Sequence, residues 1–128
     1  MLTKVVYITL FVSDHDRALD FYTRTLGFEK RADNPAPGNG RFVAVGLPGQ
    51  DLLLVLWPGT PGRANPAAGP VPGAVVVETG DCRKVFEDLK ARGVELETAE
   101  PLALPWGRVM VAKDPDGNRL QIVERPRS

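Results

Sequence analysis

Cysteine and histidine are almost missing from this chain: Cys82 and His15 are the only ones among 128 residues. A lone cysteine can form neither an intrachain disulfide nor a thiolate zinc site. A lone histidine rules out, within one chain, an iron centre built from two histidines and a carboxylate. Charge of one sign is missing too, since sixteen basic residues balance sixteen acidic ones and neither forms a run. Nucleic acid or an anionic membrane surface would call for a concentrated basic face, so a neutral or weakly polar small molecule is the better-matched partner. No stretch reaches the ~18 apolar residues of a membrane span. Met1–Val6 lacks the basic head, long apolar core and small-residue cleavage site of a secretion signal. The expectation is a cytoplasmic protein with neither a nucleic-acid nor a membrane partner.

What is present is ordinary for one globular domain: 43% apolar and 25% charged residues, in a chain long enough to bury a core without covalent staples. Residues 5–12 (VVYITLFV) are β-branched and aromatic, which predicts a strand. Val6, Ile8, Leu10 and Val12 give it an aliphatic face, whereas Val5, Tyr7, Thr9 and Phe11 give a mixed face suited to a ligand. Ser13 or Asp14 can cap a following helix, along which Ala18, Leu19, Tyr22 and Leu26 recur at helical spacing until Gly27 stops it. Strands over 28–33, 41–46 and 52–57 follow.

Residues 58–73 hold five prolines and four glycines, a density that neither helix nor ladder survives, and are expected to form a linker. The same order then returns: a strand over 74–79, a cap at Asp81, and a helix with Val85, Phe86 and Leu89 on one side that stops at Gly93. Strands over 94–98, 106–112 and 119–124 complete it. The glycine stops are 66 residues apart. The chain therefore reads as an α+β domain spanning 1–128, with a βαβββ module over 1–57, the linker, and a second βαβββ module over 74–128. Two curved mixed sheets of this kind, paired, would enclose a cleft.

Tyr7–Asp14, Ala18-Leu19-Asp20-Phe21-Tyr22 and Leu26-Gly27-Phe28 resemble the opening of the vicinal-oxygen-chelate superfamily, the glyoxalase, bleomycin-resistance and extradiol-dioxygenase type. Trp106-Gly107-Arg108 and Asp114–Gln121 are similar to its closing hairpin, so the resemblance covers nearly the whole chain. It implies the paired-module fold, dimerisation, and a divalent metal in the cleft. It also implies a range of activities: glyoxalase-type isomerases, dioxygenases, transferases acting on fosfomycin, and metal-free drug-binding proteins. The ligand positions it implies fall here on Tyr7, on Leu53 or Leu54, on Ala74 and on Gln121. Only Gln121 keeps an oxygen donor, a neutral and weak one where the resemblance implies a carboxylate, so no metal and no other cofactor is expected, and extradiol chemistry is not expected.

Tyr7, Thr9, Phe11, Trp57 and Gln121 are the expected ligand-binding residues, with Trp106 at the rim. Aromatic walls hold flat molecules by stacking. Phe42 could join them or simply fill space. If the protein is instead an enzyme of the lyase or isomerase kind, Glu78 is the candidate base and Tyr7 the candidate acid. A carboxylate buried on the apolar strand 74–79 would titrate closer to neutrality, unless it is solvated or paired with an arginine such as Arg108. Cys82 has no partner for thiol chemistry, and His15 is expected to be solvated in the first turn of a helix. Asp114, Asp116 and Asn118 alternate as calcium ligands do, but Gly117 comes too early and Arg125 stands at the closing position, so a hairpin turn is expected.

Overall fold

The computed structural model describes residues 1–36, 40–58 and 75–126. Most of the expected linker, and Ala74, lie outside the described residues. The chain divides into two units, Met1–Pro61 and Gly62–Ser128, each built as one curved sheet with a helix on one side. The fold is α+β, as expected.

In the first unit, β1 (Tyr7–Val12) leads to α1 (His15–Asp20), then to β2 (Glu29–Ala36), β3 (Gly40–Gly46) and β4 (Leu53–Pro58). The strand order is β1-β4-β3-β2, with β1 parallel to β4 and the other pairs antiparallel. Asp14 is the cap: its Oδ1 accepts from the backbone N–H of Asp16 at 2.9 Å and of Arg17 at 3.1 Å. The helix expected to run on to Leu26 instead widens into a π-helical segment over Phe21–Thr25. There Thr23 Oγ1 donates to the Leu19 carbonyl at 2.7 Å, a side-chain bond that competes with the helical ladder. Gly27, at φ +83°, ends the segment as expected. Pro58, assigned to the linker by composition, closes β4 opposite Val12, where its missing N–H matters little at a strand end.

Period-two alternation sorts this sheet into two faces. Arg41, which shares a face with Val43 and Val45, reaches Asp16 of α1 at 2.9 Å, so that face lies under the helix. Leu10, Val12, Leu54 and Leu56 are buried on it, each side chain contributing about 1.5–3 kcal/mol of burial. The opposite, helix-free face carries Tyr7, Thr9 and Phe11 from β1, Leu53, Val55 and Trp57 from β4, and Phe42, Ala44 and Gly46 from β3.

In the second unit, β5 (Val75–Glu78), α2 (Cys82–Ala91), β6 (Glu95–Leu96), β7 (Leu102–Leu104), β8 (Gly107–Lys113) and β9 (Arg119–Glu124) form a five-stranded sheet. The expectation of three strands after α2 is corrected: Leu102–Leu104 is an additional strand. It folds back on β8 through a two-residue turn at Pro105-Trp106, pairing Leu104 with Gly107. Gly107 makes that turn feasible. Its φ is +141°, and a Cβ there would meet the Glu124 carbonyl oxygen, a collision with main chain that cannot relax cheaply. The strand expected over 94–98 shrinks to Glu95–Leu96.

Asp81 caps α2 by accepting from the Lys84 N–H at 3.0 Å. Glu124 Oε1 takes the Cys82 N–H at 2.8 Å, which places α2 on the Leu120, Ile122 and Glu124 side of β9. The turn over 114–118 is a hairpin, as expected. Asp114 Oδ1 accepts from the N–H groups of Asp116 and Asn118, and Oδ2 from Asn118 Nδ2, all at 2.9 Å, so the carboxylate holds the turn together.

Candidate functional site

The residues singled out on β1 and β4 are brought together. Tyr7 stands opposite Leu53, Thr9 opposite Val55 and Phe11 opposite Trp57, all on the helix-free face of the first unit. Phe42 joins them, its ring 5.9 Å from that of Tyr7 in an edge-on contact. Tyr7 is 54% exposed and Trp57 41% exposed, unusually high for large aromatics within a sheet. Phe11 and Phe42 are half-buried between them. The face is thus a continuous aromatic wall whose edges and planes remain available to a flat molecule.

The register also resolves the choice left between Leu53 and Leu54. Leu53 lies beside Tyr7, whereas Leu54 pairs with Ile8 on the helix side. At the positions where the resemblance implies two metal ligands, this face offers a phenol and an isobutyl chain. Among the described residues, no group of three or more His, Cys, Asp or Glu could hold a metal ion. A phenol beside an alkyl chain is not the kind of donor pair a divalent ion takes.

In the second unit, Gln121 is 2% exposed and sits between Val76 of β5 and Val111 of β8. It shares the helix-free face with Arg119 and Val123. These two are buried as thoroughly as Leu120 and Ile122, so β9 is covered on both sides. Trp106 is 50% exposed at the tip of the β7–β8 turn, ahead of the strand that was expected to begin with it.

Glu78, the candidate base, falls on the solvated and arginine-paired side of the two alternatives the sequence left open. Its carboxylate is exposed and takes a hydrogen bond from Arg125 Nε at 2.6 Å, so the arginine partner is Arg125, not Arg108. That bond holds the Glu78 carboxyl below its usual range, with the little desolvation it suffers acting in the opposite direction. Glu78 and Arg125 form part of the wall of a polar recess of about 380 Å³, together with Thr79, Gly80 and Glu124.

Cys82 is fully buried, and burial pushes its thiol pKa up, with the Glu124 carboxylate adding to the rise. That is the direction of an unreactive thiol. His15 is half-buried rather than solvated, and its Nε2 has no hydrogen-bond partner among the described residues.

Two features escaped the sequence. Arg119 and Glu97 form a bidentate pair, Nε to Oε2 at 2.5 Å and Nη2 to Oε1 at 2.9 Å, with side chains only 3% and 13% exposed. The alternation Arg119-Leu120-Gln121 could have placed Arg119 on the face of Gln121, but nothing local pointed to Glu97, 22 residues away. The second is Arg31. It sits where the β2–β3 register slips between Lys30 and Ala32, and its guanidinium lies against Gly46.

With this fold and site in place, comparison with known proteins defines the class. The model of the Glyoxalase/Bleomycin resistance protein/Dioxygenase superfamily matches residues 4–122, and the chain belongs to that family. A member of the same superfamily from Sphaerobacter thermophilus is 38% identical, covers 97% of this chain and 98% of its own, and superposes with a TM-score of 0.80. TnmS3 from Streptomyces sp. CB03234, described as an antibiotic binding protein, is 33% identical, with 98% of each chain covered and a TM-score of 0.81. Lactoylglutathione lyase GLX1 of Arabidopsis thaliana is 27% identical over 95% of this chain, which spans 44% of the plant protein.

Proposed function

We propose that this chain is a metal-free binding protein for a small, flat organic molecule, held by stacking on the helix-free face of the first unit. The observation that carries the reading is the aromatic wall itself: Tyr7, Phe11, Phe42 and Trp57 on one face, with Leu53 beside Tyr7 at positions where the family resemblance implies metal ligands. The likeness to TnmS3, an antibiotic binding protein, supports it. Thr9 supplies a hydroxyl on the same face. The chain is proposed to work as a cytoplasmic homodimer, which sedimentation at micromolar concentration would check.

The test is a thermal-shift and tryptophan-fluorescence screen of chelator-stripped protein against planar aromatic antibiotics, with and without divalent metals. Saturable quenching that needs no metal is expected, and Trp57→Ala should weaken it about tenfold, the loss typical of an aromatic anchor. Tight stoichiometric metal binding with a thermal shift would overturn the metal-free reading.

A lyase or isomerase using Glu78 or Tyr7 for proton transfer is the second reading, favoured by the likeness to the plant lactoylglutathione lyase. The Glu78–Arg125 ion pair weighs against it, because a carboxylate stabilised in its charged form is a poorer base near neutral pH. Once any turnover is found, at least one of Tyr7→Phe and Glu78→Gln should lower it sharply, and if neither alters turnover this second reading is wrong.

A further inference from the structure

The aromatic wall has one cation built into it. Arg31 occupies the slipped position of β2, and its guanidinium folds onto the helix-free face over Gly46, whose row runs through Leu53 to Tyr7. A Cβ on Gly46 would come 3.3 Å from Arg31 Cζ and 2.8 Å from Leu53 Cδ2, so the glycine is the seat on which the guanidinium rests. Two carbonyls of the β3–β4 turn hold it there: Leu47 O accepts from Nη2 at 2.6 Å and Gln50 O from Nη1 at 3.2 Å. Glu29 Oε1 accepts from Nε at 3.1 Å and lies 3.0 Å from Nη2. A guanidinium has five N–H donors, and these contacts leave Nη1 with donor capacity to spare. The Arg31 side chain is 28% exposed and that of Glu29 50% exposed, so solvent screens the pair and an incoming anion can compete with the carboxylate.

We infer that Arg31 is a specificity-determining residue of this face, selecting aromatic molecules that carry an anionic oxygen, a carboxylate or an enolate, at the edge of the ring system. The inference rests on the small-molecule reading above and names the class of ligand. Its physical basis is preorganisation: the turn carbonyls fix the cation before a ligand arrives, so little is lost in ordering it. A ligand oxygen would take the spare Nη1–H and compete with Glu29 for the rest, as a charge-assisted bond.

The experiment is a calorimetric titration of the full chain with a matched pair of probes, naphthalene-2-carboxylate and naphthalene-2-carboxamide. Wild type should prefer the carboxylate by about tenfold, the scale of a hydrogen bond to a charged group. Arg31→Met should bring the ratio of affinities close to one. Glu29→Gln should raise it, because a competing anion is removed. Gly46→Ala keeps the charge but displaces it, and should lower the ratio, which covers the case in which Arg31→Met does not fold.

If Arg31 only staples the turn, Arg31→Met will lower the melting temperature and weaken both probes equally, leaving the ratio unchanged, and the inference is overturned. A ratio of one in wild type overturns it as well, while carboxamide binding that still depends on Trp57 leaves the small-molecule reading standing. If neither probe binds, both readings fall together.

Discussion

The two units share an order of elements, the extra strand β7 apart, and then spend their helix-free faces in opposite ways. In the first, the face carries exposed rings and its buried polar content is slight. In the second, the matching face holds Gln121 and the Arg119–Glu97 pair, nearly closed to solvent among Val109, Val111 and Val123. The ion pairs follow the same division. Arg41 holds Asp33 with two hydrogen bonds and reaches Asp16 in the first unit, but with a third of its side chain exposed, where solvent screening reduces what the pair contributes. Arg119 and Glu97 have no such screening, and each satisfies the other bidentately. One skeleton thus yields a face fit for receiving a molecule and a face fit for holding its own geometry.

Breaking the buried pair should expose this difference most sharply. Glu97→Ala removes the carboxylate that a buried guanidinium grips with two hydrogen bonds and should cost about 3–5 kcal/mol of stability. Asp33→Ala in the first unit should cost no more than about 1 kcal/mol. Chemical denaturation of both variants checks the contrast, and equal losses would refute it.

Glycine replacement offers the next test. Gly107→Ala forces an L-residue into a positive-φ conformation and against the Glu124 carbonyl, for a loss of about 1–3 kcal/mol from the backbone alone. Gly46→Ala meets only the ends of Leu53 and Arg31, which can move, and should change stability by less than about 1 kcal/mol. Comparable melting temperatures for the two variants would contradict this account.

The smallest expected effect concerns Glu78. Its folded-state pKa lies below its unfolded value because Arg125 bonds the charged form. The pair's contribution is therefore complete above the ordinary carboxylate range and is lost as pH falls through the lowered pKa. Arg125→Ala should return the Glu78 titration, followed by NMR, toward the usual Glu value, with stability at neutral pH scarcely altered.

Much of this was legible in the sequence. The alternation of β1 separated Tyr7, Thr9 and Phe11 from Leu10 and Val12, and the parallel register with β4 added Trp57 to the same wall. Caps at Asp14 and Asp81 and the stop at Gly27 are local chemistry, and local chemistry reads well. The failures share a physical cause. The π-helical segment depends on a Thr23 hydroxyl choosing a carbonyl, β7 depends on a partner strand, and the fate of Glu78 was set by Arg125 across 47 residues. Arg31 was invisible because a register slip inverts the parity on which face assignments rest.

Gly107 also bears on how this protein could diversify. The residue that cannot change is buried beneath the turn, while the two it carries, Pro105 and Trp106, project into solvent. A tip anchored in this way can be rewritten without touching the sheet. A library randomised at positions 105 and 106, with glycine retained at 107, should keep its fold across most members while sampling new ligand preferences.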